Sequence, residues 1–195
     1  GYQFTDVSAG VYTVEALEYL EQKNRLQDYR IDKQYFSYRY NDAWIQNYYG
    51  TSFYYGGAGV GRNVIDLYEM MKLPCTMGIY KYAHGTSPYT ELNTMLGVKY
   101  VINQRTPIIN YGYEQIYEEN GIYVLENQQA IPIGYGYDQY ISREEYEQLD
   151  LNSRRKSVVK AGILDDIADV EDYWIKGAEM EDLCVDYNGY GEYRV

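Results

Sequence analysis

The stretch from Asn41 to Tyr55 holds the residue types best suited to gripping a sugar. Asn41, Asp42, Trp44, Asn47, Tyr48, Tyr49, Thr51, Ser52, Tyr54 and Tyr55 crowd into it. Flat rings stack on the apolar faces of sugar rings, while amides, carboxylates and hydroxyls satisfy the sugar hydroxyls. Gly50, Gly56 and Gly57 let the backbone approach a ligand closely. On this reading Asn41, Trp44, Asn47, Tyr48, Tyr49 and Tyr54 are the binding set, with rings as solvent-facing platforms and amides as hydroxyl partners. A core-lining segment with turns would use the same residues, and that reading stays open.

Other constellations say less. Gly56-Gly57-Ala58-Gly59-Val60-Gly61 precedes a helical pattern and resembles a phosphate cradle. It lacks the Lys-Ser/Thr of a P-loop and the preceding apolar strand of a dinucleotide fold. His84 is the single histidine. Beside Ser52 or Ser87 it would be a general base, but no G-x-S-x-G elbow accompanies it, and a lone histidine is ordinarily structural. It also lacks the cysteine partners of a zinc site. Cys75 and Cys184 allow one long-range bridge, with free buried thiols the simpler reading. Acidic residues crowd the C-terminal end, from Asp165 through Asp186, without the spacing of an EF-hand loop. A solvated acidic surface is expected there, with no metal and no cofactor. No nucleophile–base motif stands out, so the chain itself is expected to be non-catalytic.

The charge balance narrows the partners. With 29 carboxylates against 17 basic residues the net charge is −12, which excludes a nucleic-acid binder because phosphate contacts need clustered Lys and Arg. A hydrophobic content of 46% excludes a disordered chain. Apolar runs are only a few residues long, far short of the ~20 that span a bilayer. The first residue is Gly1 rather than Met, which points to a piece of a longer protein. Tyrosine is the compositional outlier, at 28 residues. It suits half-buried sheets, and it equally suits a recognition surface.

These residues need a scaffold, and the periodicities supply one. Thr13 as N-cap with Val14, Leu17 and Leu20 predicts an amphipathic helix. Tyr29–Asp32 predicts a short strand and residues 43–48 a further one. Residues 50–61 read as a glycine-rich loop. Asn63 caps a helix stopped by Pro74, residues 76–88 read as irregular, and residues 89–96 form a helix ended by Gly97. Val98–Ile102 is an apolar central strand. Asn120-Gly121 between alternating runs is a hairpin turn. Residues 133–137 are a strand candidate. Ser142 and Glu145 form a capping box opening a helix to about Leu149, and a second helix follows over 153–168. The sum is an α+β fold, a mixed sheet of about five strands with flanking helices. The domain is expected over residues 1–169, with 170–195 a following segment or C-terminal extension.

One ordered series of short motifs goes further. It runs Tyr29-Arg30-Ile31-Asp32, Asn41-Asp42, Tyr49-Gly50-Thr51-Ser52, His84-Gly85-Thr86, then Glu91 through Tyr100, and Gly112-Tyr113. It closes with Ile122-Tyr123-Val124-Leu125-Glu126-Asn127 and Ala130-Ile131-Pro132-Ile133-Gly134. In order and spacing it resembles the extracytoplasmic domain of the YfhO family, with Leu125 and Ile131 where that family has Tyr and Leu. The resemblance implies a polytopic bacterial membrane protein related to the C-type glycosyltransferases. These are polyprenyl-phosphate-sugar-dependent enzymes that decorate cell-wall polymers such as lipoteichoic acid. It also implies a place on the extracellular face of the cytoplasmic membrane. The family's catalytic acid is expected in a loop near the first membrane helices, which this chain does not include, so no catalytic residue is carried over. The implied role is acceptor recognition, or packing on the parent's own transmembrane helices. Two further readings remain: a stand-alone secreted carbohydrate-binding or glycoside-active protein, and a purely structural or protein-interaction domain.

Overall fold

The computed structural model describes residues 7–35, 41–56, 61–77, 80–86, 89–166, 176–180 and 183. The chain divides into two compact units, Gly1–Tyr135 and Gly136–Val195. The boundary expected at residue 169 lies outside the described residues.

The first unit is organised around a mixed four-stranded sheet. Its strands are β1 (Arg30–Lys33), β5 (Val98–Asn103), β6 (Tyr113–Glu119) and β7 (Ile122–Asn127), in the order β1-β5-β7-β6. β1 runs parallel to β5, while β5–β7 and β6–β7 are antiparallel. The expected hairpin is present, with Glu119 opposite Ile122. Asn120 (φ 50°) and Gly121 (φ 76°) both take left-handed backbone, which a two-residue hairpin turn requires.

Helix α1 (Val7–Lys23) covers one face of this sheet. Ala16, Leu17 and Leu20 pack with Ile31, Tyr100, Ile102, Ile122 and Val124 in one core. Thr13 is not the N-cap that its position suggested. The helix starts at Val7, and Thr13 is a buried interior residue bonded to the Tyr35 hydroxyl at 2.5 Å. The inward stripe is therefore 13, 16, 17 and 20, the i, i+3, i+4, i+7 spacing, and Val14 faces outward. On the other face Val98, Val101 and Leu125 form a smaller cluster with Leu96 and Tyr113. Val98 reaches that face because the β1–β5 register shifts between Arg30 and Ile31, leaving Lys99 without a partner on β1.

A second, antiparallel sheet has the order β2-β4-β3, from β2 (Ser52–Gly56), β3 (Cys75–Met77) and β4 (Tyr80–His84). It replaces the glycine-rich loop expected over 50–61 and the irregular segment expected over 76–88 with paired strands. Tyr54 lies in register with Tyr82 and Tyr55 with Lys81, and the β-propensity of these tyrosine-rich segments outweighs the flanking glycines. Between β2 and β3, α3 (Arg62–Met70) has Gly61 rather than Asn63 at its N-cap, with no side-chain cap bond. Helix α4 (Thr90–Met95) is closed by Gly97 at φ 64°, as its sequence implies.

In the second unit, β8 (Gln139–Ser142) lies between β9 (Gly162–Leu164) and β10 (Lys176–Gly177), all parallel. The Ser142–Glu145 capping box opens α5 (Arg143–Gln148). The long helix expected over 153–168 is instead α6 (Leu151–Ser157) followed by β9. Asp150 caps α6 by accepting from the Asn152 and Ser153 N–H groups. Val158 and Val159 then lead through a turn to Gly162, where Ile163 pairs with Ile141. Residues 133–137 form no strand; β8 begins two residues later.

Candidate functional site

Asp42-Ala43-Trp44-Ile45 is not the strand expected over 43–48 but a single helical turn, α2. Its burial runs in pairs rather than alternating: Asp42 and Ala43 point inward, Trp44 and Ile45 outward. The turn ends in a Schellman closure. The Tyr48 N–H donates to the Ala43 carbonyl at 3.0 Å, and Asn47 sits between them at φ 56°. Asn47 thus occupies the left-handed position that asparagine tolerates better than most residues. The chain then adds to the free side of β1, where the Ile31 N–H donates to the Tyr49 carbonyl at 2.8 Å.

Gly50 permits this close approach. A Cβ there would lie 2.8 Å from the Ala43 Cβ and 3.2 Å from Tyr48 Cε2. Asn41 fixes the other end. Its amide donates to the Tyr54 carbonyl at 3.2 Å, and its oxygen accepts the Tyr54 N–H at 2.9 Å.

The result is a cleft of about 590 Å³. Asn41, Trp44, Asn47, Tyr48 and Tyr49 all line it, joined by Gln27, Arg30, Ala43, Gly50, Ser52, Phe53 and Ile133. Tyr54 is exposed but does not line it. Trp44 is 76% exposed and Tyr49 53%, so both rings are offered to solvent. Tyr48 is a correction: at 7% exposure it belongs to the core, and burial raises its phenol pKa, with Asp42 adding to the effect. Its edge forms part of the wall; its face is not a platform. Arg30 is the one charged residue among the lining residues, and its guanidinium donates to the Leu96 carbonyl. Ser52 Oγ is buried with no hydrogen-bond partner among the described residues, so the wall contains an unsatisfied hydroxyl. Phe53 and Ile133 are not among the expected binding residues, because nothing about a lone apolar side chain in a strand or a connection marks it as a cleft wall.

Ser52 and His84 are register partners across β2 and β4, yet no hydrogen bond joins them, since Ser52 Oγ has no partner. Burial lowers the His84 pKa. Ser87 and residues 57–60 of the glycine-rich segment lie outside the described residues, as does Cys184; Cys75 is a free thiol. Among the described residues no group of three or more His, Cys, Asp and Glu side chains is placed to hold a metal.

Behind the cleft sits a buried polar network. Asp32 accepts from the Thr51 hydroxyl at 2.6 Å, the Gln34 amide at 2.5 Å and the Thr86 N–H at 3.4 Å. Thr86 Oγ1 donates to Asn93, whose amide donates to the Tyr113 hydroxyl at 2.7 Å. Lys33 and Asp42 form an adjacent ion pair at 2.5 Å, both side chains at most 5% exposed. Lys33 Nζ also lies 4.5 Å from the centre of the Tyr35 ring. Desolvation lowers the Lys33 pKa, opposed by the Asp42 carboxylate.

The family model for "Bacterial membrane protein YfhO" matches residues 5–164. The chain belongs to the YfhO family. No curated protein and no solved structure matches it. The geometry gives the YfhO-like motifs a physical meaning. Asp32, Thr51, Thr86 and Asn93 come from four separate motifs and meet in one buried network. Asn41-Asp42 and Tyr49-Gly50 flank the cleft in front of it. Among the described residues no helix is long and apolar enough to cross a membrane.

Proposed function

We propose that this YfhO-family chain is an extracytoplasmic domain of a glycosyltransferase-like membrane protein and that its cleft receives the glycan part of a cell-wall acceptor. Such a domain lies on the extracellular face of the bacterial cytoplasmic membrane, beside the parent's own transmembrane helices. One observation carries the reading. Five residues of the expected binding set line a single cleft, with Trp44 and Tyr49 exposed and Ser52 Oγ without a partner among the described residues. A ring at the mouth and a hydroxyl in the wall match a sugar's apolar face and polar rim. The lining offers no carboxylate, and its one cation is Arg30. A net charge of −12 disfavours the polyanionic backbone of a teichoic acid, so the ligand expected is a neutral saccharide unit.

The test is NMR titration of the chain with maltose, cellobiose and N,N′-diacetylchitobiose. At least one should shift the Trp44 indole and Ser52 amide signals, with affinity near the millimolar range, about 4 kcal/mol. Shifts that avoid the cleft, or none with any of the three, overturn the glycan reading and favour a packing role for this face.

A further inference from the structure

The connection from β5 to β6 is the second feature that faces solvent with the wrong chemistry for an idle loop. β5 and β6 each pair antiparallel to β7, which lies between them, so they run in the same direction. The chain must therefore return along the sheet, and residues 104–112 do so on the face away from α1. There they form a cleft of about 420 Å³ against Val101, Leu125 and Tyr113. The loop itself presents apolar groups outward: Ile108 is 87% exposed, Ile109 53% and Tyr111 63%. Neighbouring exposed aliphatics of this kind mark a contact surface rather than scattered surface hydrophobes.

Charge suggests the partner. The chain has 29 carboxylates, yet none falls between Lys99 and Tyr113. Arg105 is the single charged residue lining the cleft and is exposed, whereas Lys99 is engaged with Glu126 at 3.8 Å. The loop is thus an apolar, arginine-bearing segment with no carboxylate of its own, on an acidic protein, with Glu91 the neighbouring carboxylate at Tyr113. That pattern complements an anionic phospholipid surface, where aliphatic side chains enter the acyl boundary and Arg meets phosphate. Membership of a membrane-protein family puts a bilayer within reach.

We propose that residues 104–112 seat on the bilayer surface, with Ile108 and Ile109 at the headgroup–acyl boundary and Arg105 on a lipid phosphate. The proposal rests on family membership and this loop, not on the glycan cleft. The measurement attaches the dye NBD to Ile108→Cys in a Cys75→Ser/Cys184→Ser chain. Phosphatidylglycerol/phosphatidylcholine vesicles should give a blue-shifted, brighter emission, weaker with phosphatidylcholine alone and weaker in molar salt. Arg105→Glu and Ile109→Asp should each lower vesicle partitioning by about tenfold. Circular dichroism reports whether these variants fold, and flotation of the dye-free chain against Ile108→Asn gives an independent reading. Absence of any emission change with vesicles overturns the proposal. So does a change that tracks protein concentration without vesicles, which marks a second copy as the partner. A change indifferent to both substitutions likewise sinks it.

Discussion

The residues from Asn41 to Tyr54 present two opposite chemistries a few ångströms apart. Facing inward, Asp42 is held by buried Lys33, and Tyr48 and Ala43 join the core under α1. Facing outward, Trp44 and Tyr49 stand exposed at the cleft. One helical turn separates them, because consecutive residues on a helix diverge by about 100°, sending Asp42 and Trp44 to opposite sides. A ring therefore has no fixed meaning in this segment: Tyr48 is core and Tyr49, next to it, is surface. A polar inner face makes the outer one possible, since it anchors a turn too short to be stable alone.

Alkaline pH should have the largest effect, and it acts on the inner side. Burial pushes the Tyr35 and Tyr100 phenols up to about 12 from the usual 10, and raises Tyr29, Tyr48, Tyr68 and Tyr113 as well. Below pH ~10 these phenols are protonated in both states, and they contribute no pH dependence. Between about 10 and 12 the unfolded chain loses protons that the folded chain keeps. Stability must therefore fall across that window. Thermal transitions followed by circular dichroism should drop steeply there, ending in loss of the fold. A transition temperature unchanged between pH 9 and 12 would show that these rings are solvated.

Lys33→Met comes next. It leaves Asp42 buried without its cation, which costs about 3–5 kcal/mol when one partner of a buried pair is removed. Urea unfolding measures it. The double variant Lys33→Met/Asp42→Leu should recover most of the loss, because an apolar pair of similar volume avoids desolvating two charges. A cost below about 1 kcal/mol for the single change would mean that water reaches the pair.

What the sequence made legible follows from the range of the forces involved. The Asn120-Gly121 hairpin, the 98–102 strand and the Ser142 capping box were readable because a turn type, an apolar run and a cap are local. The sheet of β2, β3 and β4 was not, because its tyrosine-rich strands are stabilised by partners up to about thirty positions away and lack alternation. The helix expected over 153–168 runs past α6 because Val158, Val159, Ile163 and Leu164 fit a helical stripe as well as a turn and a half-buried strand. At the cleft, residue chemistry singled out a segment whose side chains do line one cavity. Exposure is not legible for each ring, since it depends on which side of a four-residue turn the ring leaves, and that is why Tyr48 is core where a solvent-facing ring is expected. Asn41 and Asn47 read as ligand amides; their visible duties are pinning Tyr54 and turning the chain.

Gly50→Ala probes the joint between the two faces. The new methyl group would meet the Ala43 Cβ at 2.8 Å, backed by the Tyr48 ring. Overpacking of this sort costs about 1–3 kcal/mol. Ala43→Gly in the same chain should relieve part of it, and a double-mutant cycle in urea would read the coupling. Additive effects would break the claim that Gly50 permits the close approach to Ala43.

Trp44→Ala should have the smallest effect on stability, and that makes it the sharpest test. At 76% exposure the ring buries little area, so its loss should cost within about 0.5 kcal/mol. The α2 turn is closed by the backbone bond from Tyr48 to Ala43, which does not involve the indole. Tyr48→Ala, by contrast, empties a core site and should cost about 3–5 kcal/mol. Saccharide affinity should behave in the reverse way. Losing a stacking ring removes about 1 kcal/mol, roughly a fivefold weakening, from Trp44→Ala, while Tyr48→Phe, which keeps the wall's shape, should bind almost normally. Thermal melts and the NMR titration on the same samples would separate the two residues. If Trp44→Ala unfolds the chain as readily as Tyr48→Ala does, both rings are core, and the outward face of α2 has no recognition role.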